Sequence, residues 1–285
     1  MSNTITILGC GYLGTALASR CLSEGLSVSA LTRNIDTAKS LDQLGVSKVV
    51  VSNLEDDSWH GELNPEQDHV VNCVGASSPD LDGYVASYVE GQQSAMKWLS
   101  QGKASNYLFT SSCSVYPQNG RKLVDETSSC SGVAERGGLL LAAEQVSFPP
   151  PSTIARSFIL RLAGIYGPDR HLLLEKVKSG TNLEGNADRI LNLIHRDDAV
   201  DAILACLQAN TSNLGRIYNV SDGNHAPRGQ IVTWLAEKLG VDNPGFAEDD
   251  EESTPNRKIS TNRILDELGW SPRYPTFMDG YSEII

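Results

Sequence analysis

Short apolar runs rich in β-branched residues alternate along this chain with stretches whose apolar positions recur every three to four residues. The first kind has the make-up of strands buried on both faces of a parallel sheet, the second that of amphipathic helices. The run TITIL at residues 4–8 opens the series as a strand. Leu13, Ala16, Leu17 and Cys21 follow at helical spacing. Further strands are expected at 26–32, 48–52, 68–74, 106–110 and 154–162, and helices at 38–44, 84–101 and 134–146. This β-α alternation, repeated six times, predicts an α/β fold with a doubly wound, Rossmann-like parallel sheet. Beyond residue 164 the texture changes. A turn-rich stretch at 164–169 leads to a helix at 172–178 and a short extended piece at 191–195. A helix at 199–208 is expected to be capped by Asp197 and Asp198. One more strand is expected at 216–220, an amphipathic helix at 229–239 and a solvated acidic loop at 247–256. A last helix at 261–268 ends with Gly269 as its C′ residue.

Three glycines interrupt the pattern between the first strand and the first helix. Gly9, Gly11 and Gly14 stand in the spacing G-x-G-x-x-G. Strand before and helix after are the context in which this motif holds a dinucleotide. Gly9 makes the tight turn, Gly11 lets a pyrophosphate approach the backbone, and Gly14 lets helix and strand pack closely. Tyr12 and Leu13 complete the turn. The helix N-terminus offers N–H groups and a positive dipole end to the phosphates. Residues 1–165 are therefore expected to form a dinucleotide-binding domain, with 190–222 returning to it. Residues 166–189 and 223–285 are expected to form a smaller C-terminal α+β substrate domain.

Ligands of such sheets bind at the carboxyl ends of the strands. The candidate cofactor residues are thus Gly9, Gly11, Tyr12, Leu13 and Gly14, then Thr32, Arg33 and Asn34, Asn53 and Leu54, Val74, Gly75 and Ala76, and Ala163, Gly164 and Ile165. No acidic residue stands after the second strand, where a carboxylate would bind a ribose 2′-hydroxyl. Arg33 stands there instead. A charge-assisted hydrogen bond to a 2′-phosphate contributes about 1.5–3 kcal/mol. NADP is accordingly the expected cofactor, with NAD as the alternative and Arg33 then an ordinary surface arginine.

Composition narrows the partners. The 285 residues carry a net charge of −12, with 40% hydrophobic and 20% charged residues, an ordinary globular make-up. An acidic surface without a Lys/Arg cluster disfavours nucleic acid and anionic membranes. No stretch approaches the roughly 18 apolar residues of a membrane span, and no signal-peptide pattern is read at the N-terminus. The six cysteines lie far apart without a C-x-x-C, as free thiols of a cytoplasmic protein do. No His/Cys cluster suggests a metal. A small-molecule substrate is expected, and a monomer or homodimer.

Several marks together resemble the short-chain dehydrogenase/reductase superfamily, in its extended or atypical branch (NAD-dependent epimerase/dehydratase-like). They are ILGCGYLG, SSCSVYP after the fifth strand, RLAGIYGPDR after the sixth, LIHRDDAVDAI, IYNVSDGN and the closing RILDELGWSPRYPTFMDG. The resemblance covers nearly the whole chain. It implies an NAD(P)-dependent oxidoreductase or epimerase/dehydratase-like enzyme acting on a sugar nucleotide or a small carbonyl compound. It also places a substrate-orienting hydroxyl at Ser112. The chain departs from the family at the catalytic Y-x-x-x-K pair. Setting the family's Ala-Glu against Ala143 and Glu144 puts Arg136 in place of the Tyr and Leu140 in place of the Lys. Arginine stays protonated and leucine carries no charge, so neither repeats the family's proton transfer. Loss of a positioned acid typically costs about 10²–10⁴ in rate. The candidate catalytic residues are Ser112, Arg136 and Tyr116, with Cys113 a further substitute acid. Ser112 reads equally as a turn cap, Tyr116 as packing beneath the cofactor and Cys113 as a small hydrophobe. Arg161, odd in a buried strand, is expected to pair with a carboxylate near the site or to snorkel. His195 is expected to be a hydrogen-bonded loop residue, with a substrate ligand as the alternative. The missing pair leaves a second function open, a dinucleotide-binding sensor or scaffold with little turnover.

Overall fold

A computed structural model of the chain describes residues 3–148, 150–209, 215–247 and 255–285. In chain order its strands and helices are β1 (Thr4–Leu8), α1 (Tyr12–Ser23), β2 (Ser27–Thr32), α2 (Ile35–Leu44), β3 (Lys48–Val51), β4 (Gln67–Asn72), α3 (Leu81–Tyr84), α4 (Gly91–Leu99), β5 (Ala104–Ser112), β6 (Lys122–Val124), α5 (Glu135–Val146), β7 (Ile154–Leu162), β8 (Gly164–Tyr166), α6 (Leu172–Lys178), β9 (Leu193–His195), α7 (Arg196–Gln208), β10 (Gly215–Val220), α8 (Arg228–Leu239), β11 (Arg257–Ile259), α9 (Asn262–Leu268) and α10 (Phe277–Ser282). They fall into two compact units. The first comprises Met1–Val115, Val133–Arg161 and Val200–Tyr218; the second comprises Tyr116–Gly132, Leu162–Ala199 and Asn219–Ile285.

The first unit is built on a seven-stranded sheet of order β10-β7-β5-β4-β1-β2-β3. β1 pairs in parallel with β2 and β4, β2 with β3, and β4 with β5. Ile5, Ile7 and Leu8 of β1 are wholly buried, as a central strand covered on both faces requires. Strand order reverses between β1 and β4, so a crevice opens there at the carboxyl edge of the sheet. This is the expected Rossmann-like α/β fold. The core beneath it gathers Leu8, Leu31, Trp59, Trp98, Tyr107 and Phe109. The two tryptophan rings lie 5.2 Å apart, and their indole N–H groups donate to the carbonyls of Leu54 and Leu63.

Three departures from the sequence pattern have local causes. The sixfold alternation fails between β3 and β4, where a 3₁₀ turn at Asp57–Gly61 stands in place of a helix and buries Trp59. The helix expected at 84–101 is broken into α3, a π-helical segment Val85–Glu90 and α4. Within the π segment the buried position is Ser87, while the apolar Val85 and Val89, expected to face the core, are half-buried. α2 starts at Ile35, three residues early, because Asn34 Oδ1 caps it by accepting from the N–H groups of Asp36 (2.8 Å) and Thr37 (2.9 Å).

The second unit holds two small parallel sheets, β6 with β11 and β8 with β9. The 164–169 stretch, expected as turns, thus opens with a strand. The core of this unit joins α6, α8 and α10 through Leu174, Val177, Ile231, Leu235, Phe277 and Tyr281. Each fully buried side chain of this kind contributes about 1.5–3 kcal/mol. α10 is closed by a capping box in which Thr276 and Asp279 bond reciprocally. Gly269 ends α9 in the left-handed conformation, as expected. Asp197 and Asp198 lie inside the first turn of α7 rather than before it. Asp198 instead accepts from the backbone N–H groups of Arg273 (2.7 Å) and Tyr274 (3.0 Å). Most of the acidic stretch at 247–256 lies outside the described residues.

One polar cluster is enclosed in this unit. Tyr166, His195 and Asp222 are buried, and the Tyr166 hydroxyl, His195 Nε2 and Asp222 Oδ2 have no hydrogen-bond partner among the described residues. The Tyr166 ring stands edge-on to His195 at 5.4 Å. His195 ends β9 and is not in a loop; its Nδ1 accepts from the N–H of Asp197 at 3.3 Å. Burial, aided by the charge of Asp198, pushes the Asp222 carboxyl up to about 8 against the pull of the Asn224 N–H. The native state then holds a proton that the unfolded chain releases near its ordinary value of 3.8. Stability from this group is therefore full at low pH and is lost as pH rises to about 8. The histidines with depressed values act the other way, but only below their ordinary 6.5. Between pH 7 and 8.5 the midpoint of thermal unfolding is expected to fall. Asp222→Asn should flatten that slope; an unchanged slope in the variant would rule Asp222 out as its source.

Candidate functional site

The glycine turn lies at the carboxyl edge of the sheet, against the strand-order reversal. The N–H groups of Gly9 and Cys10 both donate to the Leu31 carbonyl at 2.9 Å, which folds the turn onto β2. Gly9 has a φ of +87°, and a Cβ there would come within 2.6 Å of the Val74 nitrogen. A Cβ at Gly14 would come within 2.5 Å of the Gly9 carbonyl oxygen. Both glycines are thus demanded by the protein's own packing. Gly11 is different. Its φ is −93°, and a Cβ there would meet nothing within 4 Å. A side chain there would meet no other part of the fold, and in turns of this spacing that open space is where a pyrophosphate approaches the backbone. α1 starts at Tyr12 with no side-chain cap and no acid in its first turn. Leu13 turns inward to the core. The residues present fit a dinucleotide.

The other strand ends divide by what their polar groups already do. Thr32 is buried, with its hydroxyl donating to the Cys10 carbonyl (3.4 Å) and accepting from the Asn34 N–H (3.3 Å). The Asn34 side chain is committed to capping α2. Arg33, between them, is exposed and makes no ion pair or hydrogen bond with the described residues. Asn53 is exposed, whereas Leu54 is core and its carbonyl holds Trp59. The turn after β4 is fixed from below. Asn72 Oδ1 accepts from the Val74 N–H at 3.0 Å, and its amide donates to Gln92 at 2.8 Å, which also receives the Tyr107 hydroxyl at 2.8 Å. A Cβ at Gly75 would face open space. Ala163, Gly164 and Ile165 belong to the second unit. There the Ala163 N–H donates to the Val220 carbonyl and that of Gly164 to Asn192.

The candidate catalytic residues are placed as follows. Ser112 ends β5, half-buried, and its Oγ accepts from the Ser114 N–H at 3.1 Å. Its hydroxyl proton stays available to a carbonyl. Arg136 is exposed in the first turn of α5, its guanidinium 5.5 Å over the Tyr84 ring. Leu140, one turn on, is buried. Tyr116 belongs to the second unit, is wholly buried and donates to Asn219 Oδ1 at 2.8 Å. Cys113 is buried and its thiol donates to the Arg161 carbonyl at 3.0 Å.

Arg161 does find its carboxylate. Its Nε and Nη2 donate to Glu144 at 3.0 and 2.6 Å, and Ser111 Oγ donates to the same carboxylate at 2.6 Å. All three residues are buried. This network ties the end of β5 and the end of β7 to α5. Residues 136, 140 and 144 fall on one face of that helix at i, i+4 spacing. Ser111 opens the stretch 111–114 that follows the fifth strand and is a candidate on that ground, whereas Glu144 serves only to align the helix with the family; the pairing of a strand arginine with the first carboxylate on that helix face is the signal that points to it. Tyr84 opens the helix expected at 84–101, where no motif marks it. Removing one partner of a buried pair costs about 3–5 kcal/mol. Glu144→Gln is expected to lower stability by that order in a denaturant titration, and Glu144→Gln with Arg161→Met to recover part of it. A single variant as stable as the parent would show that the pair is not held dry.

Among the described residues there is no group of three or more metal-ligating side chains, and no helix is long and apolar enough to cross a membrane. No curated protein matches the chain in sequence. Solved structures do match its fold. One is a Methylobacillus flagellatus protein provisionally assigned as an NAD-dependent epimerase/dehydratase; it is 26% identical, with 100% of this chain and 98% of that one covered and a TM-score of 0.78. Another is UDP-glucuronic acid 4-epimerase from Bacillus cereus in complex with UDP-glucuronic acid and NAD, 18% identical over 98% and 96% of the two chains, with a TM-score of 0.84. A third is dTDP-glucose 4,6-dehydratase from Bacillus anthracis in complex with NAD, 17% identical over 99% and 95%, with a TM-score of 0.80. A family profile matches residues 5–136. The segment that carries the glycine turn, Ser112 and Arg136 is thus the one that matches the NAD dependent epimerase/dehydratase family.

Proposed function

We propose that the protein is a nicotinamide-dinucleotide-dependent enzyme of the epimerase/dehydratase type, acting on a sugar nucleotide or a small carbonyl compound. The observation that carries this reading is Gly11, which leaves open space where its own fold would admit a side chain. Gly9, Gly11, Gly14 and the start of α1 would hold the pyrophosphate. Asn53 would meet the adenine, and Val74, Gly75 and Ala76 would line the path toward the nicotinamide. When bound, the nicotinamide supplies reversible hydride transfer. The hydroxyl of Ser112 orients a substrate carbonyl by donating to it. Arg136 keeps its proton and acts as a fixed positive charge, so the proton of the reaction is exchanged with another group or with water.

NADP is the cofactor this reading favours. Arg33, exposed and without a described polar partner, stands where a 2′-phosphate would lie. The three structural relatives leave this open, since the two described as complexes hold NAD. Cytoplasmic location fits the absence of disulfides among six free cysteines. A sensor or scaffold role is the second reading, and buried Leu140 in place of the family's lysine favours it.

Gly11→Val tests the cofactor site. The variant is expected to keep the parent's melting temperature, because its Cβ has room, and to bind NADPH at least a hundredfold more weakly. Retained NADPH affinity would falsify the cradle. Arg33→Asp is expected to shift the NADPH/NADH affinity ratio toward NADH by roughly tenfold to a hundredfold. An unchanged ratio would remove Arg33 from the 2′-phosphate. Turnover in a screen of sugar nucleotides and small carbonyls separates the enzyme from the sensor.

A further inference from the structure

The first unit holds six arginines. Arg20 pairs with Glu24 and Arg161 with Glu144. Arg156 donates to the Ala209 carbonyl, and Arg216 has a partner of its own. Only Arg33 and Arg136 make neither an ion pair nor a hydrogen bond with the described residues. In a chain with a net charge of −12, carboxylates are plentiful, so two arginines without one are informative. Both stand at the carboxyl edge of the sheet. Arg33 follows β2, and Arg136 is in the first turn of α5, the helix that follows β5. Arg33 is accounted for by the cofactor.

Arg136 is held in place without being satisfied. Its guanidinium carbon stands 5.5 Å over the centroid of the Tyr84 ring, a cation–π contact that uses none of its N–H donors. The carboxylate of Asp80 is nearby, but it accepts from the Gly83 N–H at 2.8 Å and the Ser78 hydroxyl at 2.6 Å and lies beyond ion-pair distance of Arg136. Tyr84 is held in turn. It ends α3, directly before the π segment, and its ring lies 5.3 Å from Tyr88. Helices that follow parallel strands begin at the carboxyl edge, so the early turns of α3 and α5 bring this pair to the edge where the substrate meets the nicotinamide.

We infer that Arg136, laid on Tyr84, is the receptor for a carboxylate carried by the substrate. A guanidinium without an ion-pair partner offers two parallel N–H groups to a planar carboxylate, which is its best-matched partner. The position that serves proton transfer in the family serves substrate selection here. The substrate is a hydroxy or keto compound that also carries a carboxylate, such as a uronic acid or a small hydroxy acid. This rests on the proposed dinucleotide site only for the edge at which the substrate binds.

Matched pairs of probes test it on the full-length protein, with and without saturating NADP. UDP-glucuronic acid is compared with UDP-glucose, and glycolate with ethylene glycol, by isothermal titration. In at least one pair the carboxylate member is expected to bind ten times or more tighter than its neutral partner. Arg136→Gln should shrink that advantage below twofold and leave the affinity of the neutral member and of NADPH unchanged. Arg136→Lys should keep an intermediate advantage, because it keeps the charge and loses the fork. Tyr84→Leu should weaken the carboxylate member alone. The inference is overturned if neither pair shows an advantage, or if the advantage survives Arg136→Gln. It is also overturned if the variant weakens both members of a pair equally, which would place a phosphate on Arg136 instead. A protein that takes the carboxylate probe but not NADP keeps this inference and loses the cofactor reading.

Discussion

Glu144 and Arg161 form a buried, bidentate ion pair with a serine on the same carboxylate, and the chemistry-bearing edge of the first unit is framed by it. A charge pair removed from water is stable only when its geometry is good and its remaining lone pairs are used. Here Ser111 supplies the third bond to the carboxylate. Such a pair does more for position than for net stability, since a well-packed apolar trio of similar volume can be as stable. What it fixes is relative placement. Ser111 is the residue before Ser112, and Glu144 is two turns along α5 from Arg136. The carboxylate therefore holds one serine inward while the next points to the edge, and it sets the rotation of the helix that presents the guanidinium.

The glycine turn shows the same division of labour at smaller scale. Gly9 and Gly14 answer to contacts inside the protein, whereas a Cβ at Gly11 would meet nothing within 4 Å. The turn after β4 is stiffened by Asn72, Gln92 and Tyr107, whose polar groups satisfy one another beneath it. A turn held this way from below is already ordered, and pre-ordered backbone lowers the entropy lost in any binding event there.

How much of this was legible in the sequence depended on the range of the interaction. The β1–glycine–α1 unit is local, and pattern and motif agree on it. β7 was read with its observed ends, because a continuous apolar run needs no partner to be recognised. Arg161 announced itself by standing in that run, although the sequence could not say which carboxylate it met. β6 and β11 escaped notice, being three residues each and paired across more than a hundred residues of chain. α10 was missed although Thr276 and Asp279 carry a capping-box spacing, a sign within reach of the sequence. The cation–π pairing of Tyr84 with Arg136 joins residues about fifty positions apart on two helices, and no local pattern encodes it. Arg33 was legible as an absence of acid and gains weight only from its lack of a described partner.

The π-helical segment at Val85–Glu90 sets the angle between two parts of one helical run. Such a segment accommodates an extra residue within a helix, and one residue of α-helix is worth about 100° of rotation. Upstream of it the helix presents Tyr84; downstream it buries Ala95, Trp98 and Leu99 in the core. The π turn thus offsets the two halves from a single α-helical register, and one residue removed from it would turn Tyr84 by about 100° relative to the tryptophan that the downstream half buries.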